Sequence, residues 1–592
     1  MQQPITTLLK RLWHHISPRR RGQFGLLLVL TVLSSLAEVV SLGAVLPFIS
    51  ILTQPEKLFI SPWLAGLVRA LGITSGAELV LPLTIGFALA ALIAGGLRLL
   101  LLWVSIRLGN ATGADLSIEV YRRTLYQGYS VHIARSSSEI ISGITQKVGT
   151  ATGVLISVVA VITSTSLFVA IMMTLLAIEP MVAIVAAISF GSAYGLIASL
   201  TRRRLVHNSH CIAQEQTQVV KALQEGLGAI RDVLLDGTQK VYCNIYQKAI
   251  LRLQRAGGEN SFISQAPRYA MEALGMALIA VFVLALSHRE GGVAAALPIL
   301  AMLALGAQRL LPLMQQVYGN WSVVAGSKAA LADVLALLEQ PLPAGVNLSG
   351  PEPLTLKQAI TFENVSFKYN SNGPCVLDDI NLTIPKGVRV GIIGATGSGK
   401  STVLDLLMGL LEPTQGQILV DGKVVGITNQ RAWQRAVAHV PQSIYLADTS
   451  IAENIAFGVP LNEIDLDRVR QAAKQARIAG FIESRPEAYS AIVGERGVRL
   501  SGGQRQRIGI ARALYKQASV LIFDEATSAL DNETEQAVMQ AIEGLSKDLT
   551  LFIIAHRLTT LKNCDLIIEL DGGKAFAVSN SESILNIEKS ND

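Results

Sequence analysis

Gly394-Ala395-Thr396-Gly397-Ser398-Gly399-Lys400-Ser401 is the stretch that most limits how this chain can fold. An apolar, β-branched run from Val388 to Ile393 precedes it, and a helical pattern from Thr402 to Leu411 follows. Strand, glycine loop and helix together make the setting in which G-x-x-x-x-G-K-[ST] cradles phosphate. Glycines let successive backbone N–H groups turn inward onto an anionic oxygen. The helix that Thr402 continues adds unpaired N-terminal donors and the positive end of its dipole. Lys400 can reach the β- and γ-phosphates, and Ser401 can ligand Mg²⁺. A nucleoside triphosphate is the expected ligand.

The chain has 592 residues, too many for one domain. Half are hydrophobic and 16% are charged, with mean hydropathy +0.43, which points to a membrane. The apolar excess lies in the first half, and the remainder reads as a soluble α/β domain. Net charge is +6, but the basic residues cluster beside apolar spans as topology determinants, so no nucleic-acid partner is expected. Cys211, Cys243, Cys375 and Cys564 lack the C-x-x-C spacing of a redox or metal site.

Six apolar spans are expected, at 24–52, 79–104, 153–178, 181–200, 266–286 and 293–313. Arg19 to Arg21, Arg122 with Arg123, and Arg202 to Arg204 mark cytoplasmic flanks and put both termini inside. The first span exceeds a signal-peptide core and should stay in the membrane. Residues 61–72 read as a short interfacial helix with Ser61 as cap and Pro62 as its first residue. Only Glu179-Pro180 separates spans three and four, which forces a hairpin. Glu38, Arg98, Arg268, Glu272 and Arg309 fall in or beside the spans. Charge is costly in lipid, so each should face protein or a water-filled cavity, either to meet a substrate or to pair with another. Pro341-Leu342-Pro343-Ala344-Gly345 is a punctuated linker between a transmembrane domain, 1–340, and a nucleotide-binding domain, 341–592.

The second half holds the rest of a triphosphate site. Ser519 to Glu525 is an apolar strand ending in two carboxylates. Asp524 can hold Mg²⁺, directly or through water, and Glu525 can polarise the attacking water as general base. Leu500-Ser501-Gly502-Gly503-Gln504 joins a hydroxyl and two small residues to a helix start, another anion-binding device. Tyr369 ends a strand and can stack on adenine, although the same position also suits packing.

Together these motifs resemble those of the ATP-binding cassette (ABC) transporters. Ser501-Gly502-Gly503-Gln504 looks like their signature, Gly394 to Ser401 like Walker A, and Asp524 with Glu525 like Walker B. Ser528-Ala529-Leu530-Asp531 resembles the D-loop, Gln442 the Q-loop glutamine and His556 the switch histidine. Tyr369 takes the A-loop place, and Val493 to Gly497 resembles the exporter X-loop. The resemblance implies an α-helical six-span transmembrane domain of exporter type, followed by an α/β P-loop nucleotide-binding domain. It implies ATP and Mg²⁺ as ligands, Ser401, Gln442 and Asp524 around the metal, and catalysis by Glu525, His556, Gln442 and Lys400. It also implies two cassettes sandwiching two ATPs, each between one Walker A and the opposite signature, with Asp531 at the same interface. One cassette per chain makes a homodimer the simplest reading and a heterodimer the alternative. The stretches Ser136–Ile144 and Ile230–Gln239 take the place of coupling helices.

Ala37 to Ile49, the interfacial helix and Pro267 to Ala273 resemble the bacterial lipid-linked oligosaccharide flippases. A polyprenyl diphosphate head is anionic, which suits arginines in a cavity. That resemblance implies an exporter or flippase in the bacterial inner membrane, cassette in the cytoplasm, for a lipid-linked oligosaccharide or glycolipid. Multidrug, peptide and lipid A export are the alternatives, with a membrane-anchored regulatory ATPase as the reading from another class.

Overall fold

The computed structural model describes residues 3–44, 48, 78, 80–178, 180–287, 292–343, 352–370, 372–524, 548–554 and 564–578. They divide into two units. The first comprises Met1–Gln127 and Arg135–Pro341, and the second Gly128–Ala134 and Leu342–Asp592.

Helices run through the first half of the chain in the order α1 (Ile5–His15), α2 (Pro18–Gly43), α3 (Val80–Leu125), α4 (Tyr129–Ala134), α5 (Ser137–Ser142), α6 (Val148–Ile178), α7 (Pro180–Gly228), α8 (Ile230–Leu235), α9 (Gln239–Ser287), α10 (Gly292–Gly326) and α11 (Lys328–Leu338). Each expected span lies wholly or partly on one of the six long helices. The helices run far beyond the spans, however. The 46 residues of α3 and 49 each of α7 and α9 reach roughly 70 Å at 1.5 Å per residue, more than twice a bilayer's hydrocarbon core. The polar stretches after spans two and four, and before span five, therefore begin as continuations of spanning helices. Pro267 lies inside α9 without ending it. Among the described residues, four helices are long and apolar enough to cross a membrane. The pair Leu310–Gly326 and Lys328–Leu338, bent by 56°, would make a fifth. The chain is a multi-pass membrane protein. The interfacial helix expected at 61–72 lies outside the described residues.

Small residues let these helices approach closely. A Cβ on Gly113 of α3 would lie 2.2 Å from the Thr152 hydroxyl of α6, and one on Gly109 would meet Ile156 at 2.4 Å. Residues 136–144 hold α5 and the turn that follows it. α5 belongs to the first unit, where Ser138 and Ser142 are buried and the Ser142 hydroxyl bonds that of Thr217 on α7 at 3.1 Å. The neighbouring α4 is grouped with the second unit. Residues Ile230–Gln239 hold α8 and a turn.

The rest of the second unit contains two sheets. An antiparallel one has the order β2 (Leu377–Pro385), β1 (Ala359–Phe367), β4 (Gln415–Val420) and β5 (Lys423–Val424). The other runs β10 (Lys574–Val578), β9 (Leu566–Asp571), β3 (Arg389–Gly394), β8 (Thr550–Ile554), β7 (Val520–Asp524) and β6 (Val437–Val440), all parallel except β10. Strand β7 explains why a continuous apolar run was needed. Val520 and Ile522 face the core shared with the antiparallel sheet, while Leu521 and Phe523 face a second core against helices. A strand buried on both faces has no solvent side to alternate with. Flanking helices include α12 (Lys400–Leu407), α13 (Gln430–Ala436), α14 (Ile451–Ile455), α15 (Leu466–Gln475), α16 (Ala479–Glu483) and α17 (Gly502–Tyr515).

Candidate functional site

Four parallel strands end at one edge of the larger sheet: β3 at Gly394, β8 at Ile554, β7 at Asp524 and β6 at Val440. In open α/β sheets ligands bind outside these carboxyl ends. β8 pairs with both β3 and β7, so the glycine loop and Asp524 lie two strand spacings apart, roughly 10 Å. Gln442 follows β6 by two residues, at this same edge. Glu525, Asp531 and His556 lie outside the described residues.

The glycine loop needs its glycines. Gly394, Gly397 and Gly399 have φ of +147°, +85° and +100°, values that side chains rarely adopt. A Cβ on Gly394 would also come within 2.4 Å of the Leu570 carbonyl oxygen, which the β9 ladder holds in place. Gly394→Ala is therefore expected to strain the loop by about 2–3 kcal/mol. The cassette's melting transition should fall by roughly 5–10 °C, with weakened ATP binding, as read by calorimetry and nucleotide titration. The Lys400 ammonium donates to the carbonyls of Gly394 and Ala395 at 2.7 and 3.0 Å, which keeps it over the loop. The buried Ser398 hydroxyl has no hydrogen-bond partner. A buried orphan donor beside inward-turned glycines is what a phosphate oxygen would satisfy, so the loop fits a nucleoside triphosphate.

Tyr369 lies edge-on to Phe367, and its hydroxyl meets that of Thr402 on α12 at 3.1 Å. Its ring is half exposed beside the loop helix, where a base can stack. On the same helix, burial pushes the Asp405 carboxyl up to about 6, with the charge of Asp524 adding to the shift. Burial, and then Asp405, also raise the Tyr129 phenol of α4.

Ser501 caps α17. Its hydroxyl accepts from the Gln504 N–H at 3.3 Å, while the Gln504 side chain accepts from the Ser501 N–H at 2.9 Å. This capping box fixes the Ser-Gly-Gly-Gln turn at a helix start. Two contacts then tie α17 to the segment after Gln442. A Cβ on Gly509 would lie 2.2 Å from the Ile444 side chain, which therefore packs directly on the helix backbone. Arg512 donates to the Tyr445 carbonyl at 3.0 Å and to the Asn454 carbonyl at 2.8 Å. Its guanidinium also lies 4.5 Å from the Phe457 ring, and burial pushes its pKa down to about 10. Arg512 is not apparent from the sequence; the available signal is an arginine flanked by apolar residues in the second half of α17.

In the first unit, Glu38 of α2 is buried, with the Arg98 guanidinium of α3 3.5 Å away. Arg98 itself keeps 43% of its side chain exposed. Thr31, Ser34, Ser35 and Ser41 share the buried face of α2 with Glu38, a polar stripe at helical spacing that the sequence reading overlooks. The hydroxyls of Thr31 and Ser35 donate to carbonyls one turn earlier, at 2.9 Å each. Arg268 and Glu272 pair at 2.8 Å on α9, both half exposed. Arg309 lies on α10, but its side chain is outside the described residues. The structure thus brings two of the charged candidates together across helices and two along one helix.

Fold and site define a P-loop nucleotide-binding cassette on the same chain as a bundle of long, membrane-type helices. The family model described as ABC transporter matches residues 377–528. The chain is 31% identical to an ATP-dependent lipid A-core flippase of Chromohalobacter salexigens over 78% of this chain and 79% of that protein. It is 41% identical to the leukotoxin export ATP-binding protein LtxB of Aggregatibacter actinomycetemcomitans, over 47% of this chain and 38% of that one. With two of the curated relatives the match thus spans only about two-fifths of the relative's length. A solved bacterial Atm1-family ABC exporter with ATP bound shares the fold, with TM-score 0.78, 24% identity and coverage of 97% of this chain and 96% of that one. The chain belongs to the ABC transporter family, with the layout of an exporter half-transporter.

Proposed function

We propose that two copies of this chain form an ATP-hydrolysing flippase or exporter for an anionic glycolipid, with lipid-linked oligosaccharide as the first reading. Each ATP lies between the loop Gly394 to Ser401 of one copy and Ser501 to Gln504 of the other. Lys400 holds the β- and γ-phosphates, Tyr369 stacks on the adenine, and Glu525 takes the proton of the attacking water. His556 stabilises charge developing on the γ-phosphate. Ser401, Gln442 and Asp524 would hold Mg²⁺, whose charge would offset that of the phosphates. Closure of the cassettes on ATP then biases the membrane helices through the difference in affinity between their states.

The observation that carries this reading is Glu38 beside Arg98. A buried carboxylate in a membrane helix is costly, and a mere anchor has no use for it. The exposed part of Arg98 leaves a planar, always-charged fork for a diphosphate. Lipid A is the second reading, favoured by the relative matched over most of its length, which is named a lipid A-core flippase.

Proteoliposomes fed with ATP test both, using fluorescent lipid-linked glycan and fluorescent lipid A side by side. One of the two is expected to cross, and Arg98→Ala to slow it about tenfold or more, the value of one charge-assisted contact. Basal ATP hydrolysis should change little. No movement of either lipid, with drug-stimulated hydrolysis instead, would reject the glycolipid reading.

A further inference from the structure

We propose that the crevice between α1, α2 and α6 holds one acyl chain of an anionic glycerophospholipid, with its headgroup at Lys10 and His14. The cavity measures about 340 Å³, within the range that takes organic ligands. Trp13 of α1, Phe24 and Leu28 of α2, and Leu155 and Val159 of α6 form its walls. Two hydroxyls also line it, but both already bond within their own helices: Thr31 to the Leu27 carbonyl and Thr163 to the Val159 carbonyl, each at 2.9 Å. Water in a cavity needs two or more polar partners, and here it would find only the acceptor lone pairs of these two hydroxyls between apolar walls. The cavity's chemistry suits a hydrocarbon chain.

The rim is cationic. Lys10 and His14 line the same cavity one turn apart on α1, both exposed, and no carboxylate joins them there. The His14 Nδ1–H donates to the Lys10 carbonyl at 2.7 Å, which fixes the ring, and Nε2 can donate to a phosphate oxygen in the imidazolium form. Arg21 donates from Nη2 to the His14 carbonyl at 2.7 Å, and its buried Nε has no partner. Neighbouring arginines are committed elsewhere, Arg11 to Glu339 and Arg20 to Asp115. Among the described residues Lys10 has no salt-bridge partner, so the charge at the mouth is complementary to a phosphate. Trp13 is 42% exposed between rim and crevice, the place an amphipathic ring takes at a membrane interface. Lysines and arginines near a membrane surface favour anionic lipid, so a phosphatidylglycerol-type head is preferred over a zwitterionic one. The assignment does not depend on what the protein transports.

Trp13 makes the site readable. The full chain in detergent is titrated with phosphatidylglycerol or phosphatidylcholine carrying dibrominated acyl chains, which quench tryptophan on contact. The Trp13 signal is the wild-type fluorescence minus that of Trp13→Phe. Saturable quenching is expected, at about five-fold lower phosphatidylglycerol than phosphatidylcholine. Lys10→Gln combined with His14→Gln should bring the two lipids together, and Val159→Phe, which fills the crevice, should remove the quenching. Should Val159→Phe fail to fold, Leu28→Gln serves in its place, since Leu28 is half exposed and its loss costs the fold little. Equal half-saturation for the two lipids in the wild type overturns the anionic headgroup. Unquenched Trp13, or full quenching in a folded crevice variant, overturns the site.

Discussion

Glu525→Gln should lower steady-state ATP hydrolysis by about 10²–10⁴-fold, the range expected for loss of a positioned general base, while ATP still binds. Strand β7 carries Asp524 to the edge where the glycine loop opens, and Glu525 is the next residue of the chain. Glutamine keeps the shape and an acceptor oxygen but cannot take a proton from water. Phosphate release measures the loss, and titration with a fluorescent ATP analogue measures the binding that remains. Asp405 supplies the control. Burial and the charge of Asp524 push it up to about 6, a value compatible with base chemistry near neutral pH. It nevertheless sits on the loop helix and not at the strand's end, so Asp405→Asn should cost less than about tenfold, well below what loss of a general base costs. A Glu525→Gln variant that hydrolyses ATP at the wild-type rate would reject Glu525 as the base; a dead Asp405→Asn with a living Glu525→Gln would move that role to Asp405.

Which parts of this molecule can be read from sequence follows from how local each signal is. The glycine loop, the β7 run and the Ser501 cap each rest on fewer than ten consecutive residues, and positive φ, two-sided burial and a capping box express those residues' own preferences. The membrane helices behave otherwise. Hydropathy reports where lipid ends and not where the helix ends, so α3, α7 and α9 run on into polar sequence with no change of backbone. The short helix α4, grouped with the second unit, likewise carries no sequence pattern of its own. Glu38 and Arg98 stand out singly as costly charges, but their proximity depends on how α2 packs against α3. Arg512 is the extreme case. Its partners lie 58 and 67 residues away in the chain, so only the folded structure shows that it links the signature helix to the segment following Gln442.

Two inactive variants, Lys400→Ala and Ser501→Arg, should restore hydrolysis to each other when co-expressed with different tags and isolated as mixed dimers. Alone, the first loses the ammonium of the glycine loop. The second loses the cap of α17, worth about 1 kcal/mol, and places a bulky side chain where the γ-phosphate must approach. If each ATP is held by the loop of one copy and the signature of the other, a mixed dimer contains one site with both lesions and one with neither. Activity near half of wild type is then expected, roughly one intact site of two in a two-fold assembly. The decisive comparison is the other mixture of the same lesions, in which one chain carries both substitutions and its partner carries none. Sites shared between chains leave that dimer with one lesion in each site and no activity. Sites built within single chains give the opposite pair of results, an inactive first mixture and a half-active second one. The two arrangements contain identical side chains in identical numbers, so differences in expression, stability or lipid content cannot exchange their outcomes. The order of the two activities therefore reports directly whether Gly394 to Ser401 and Ser501 to Gln504 act on the same ATP within one chain or across two.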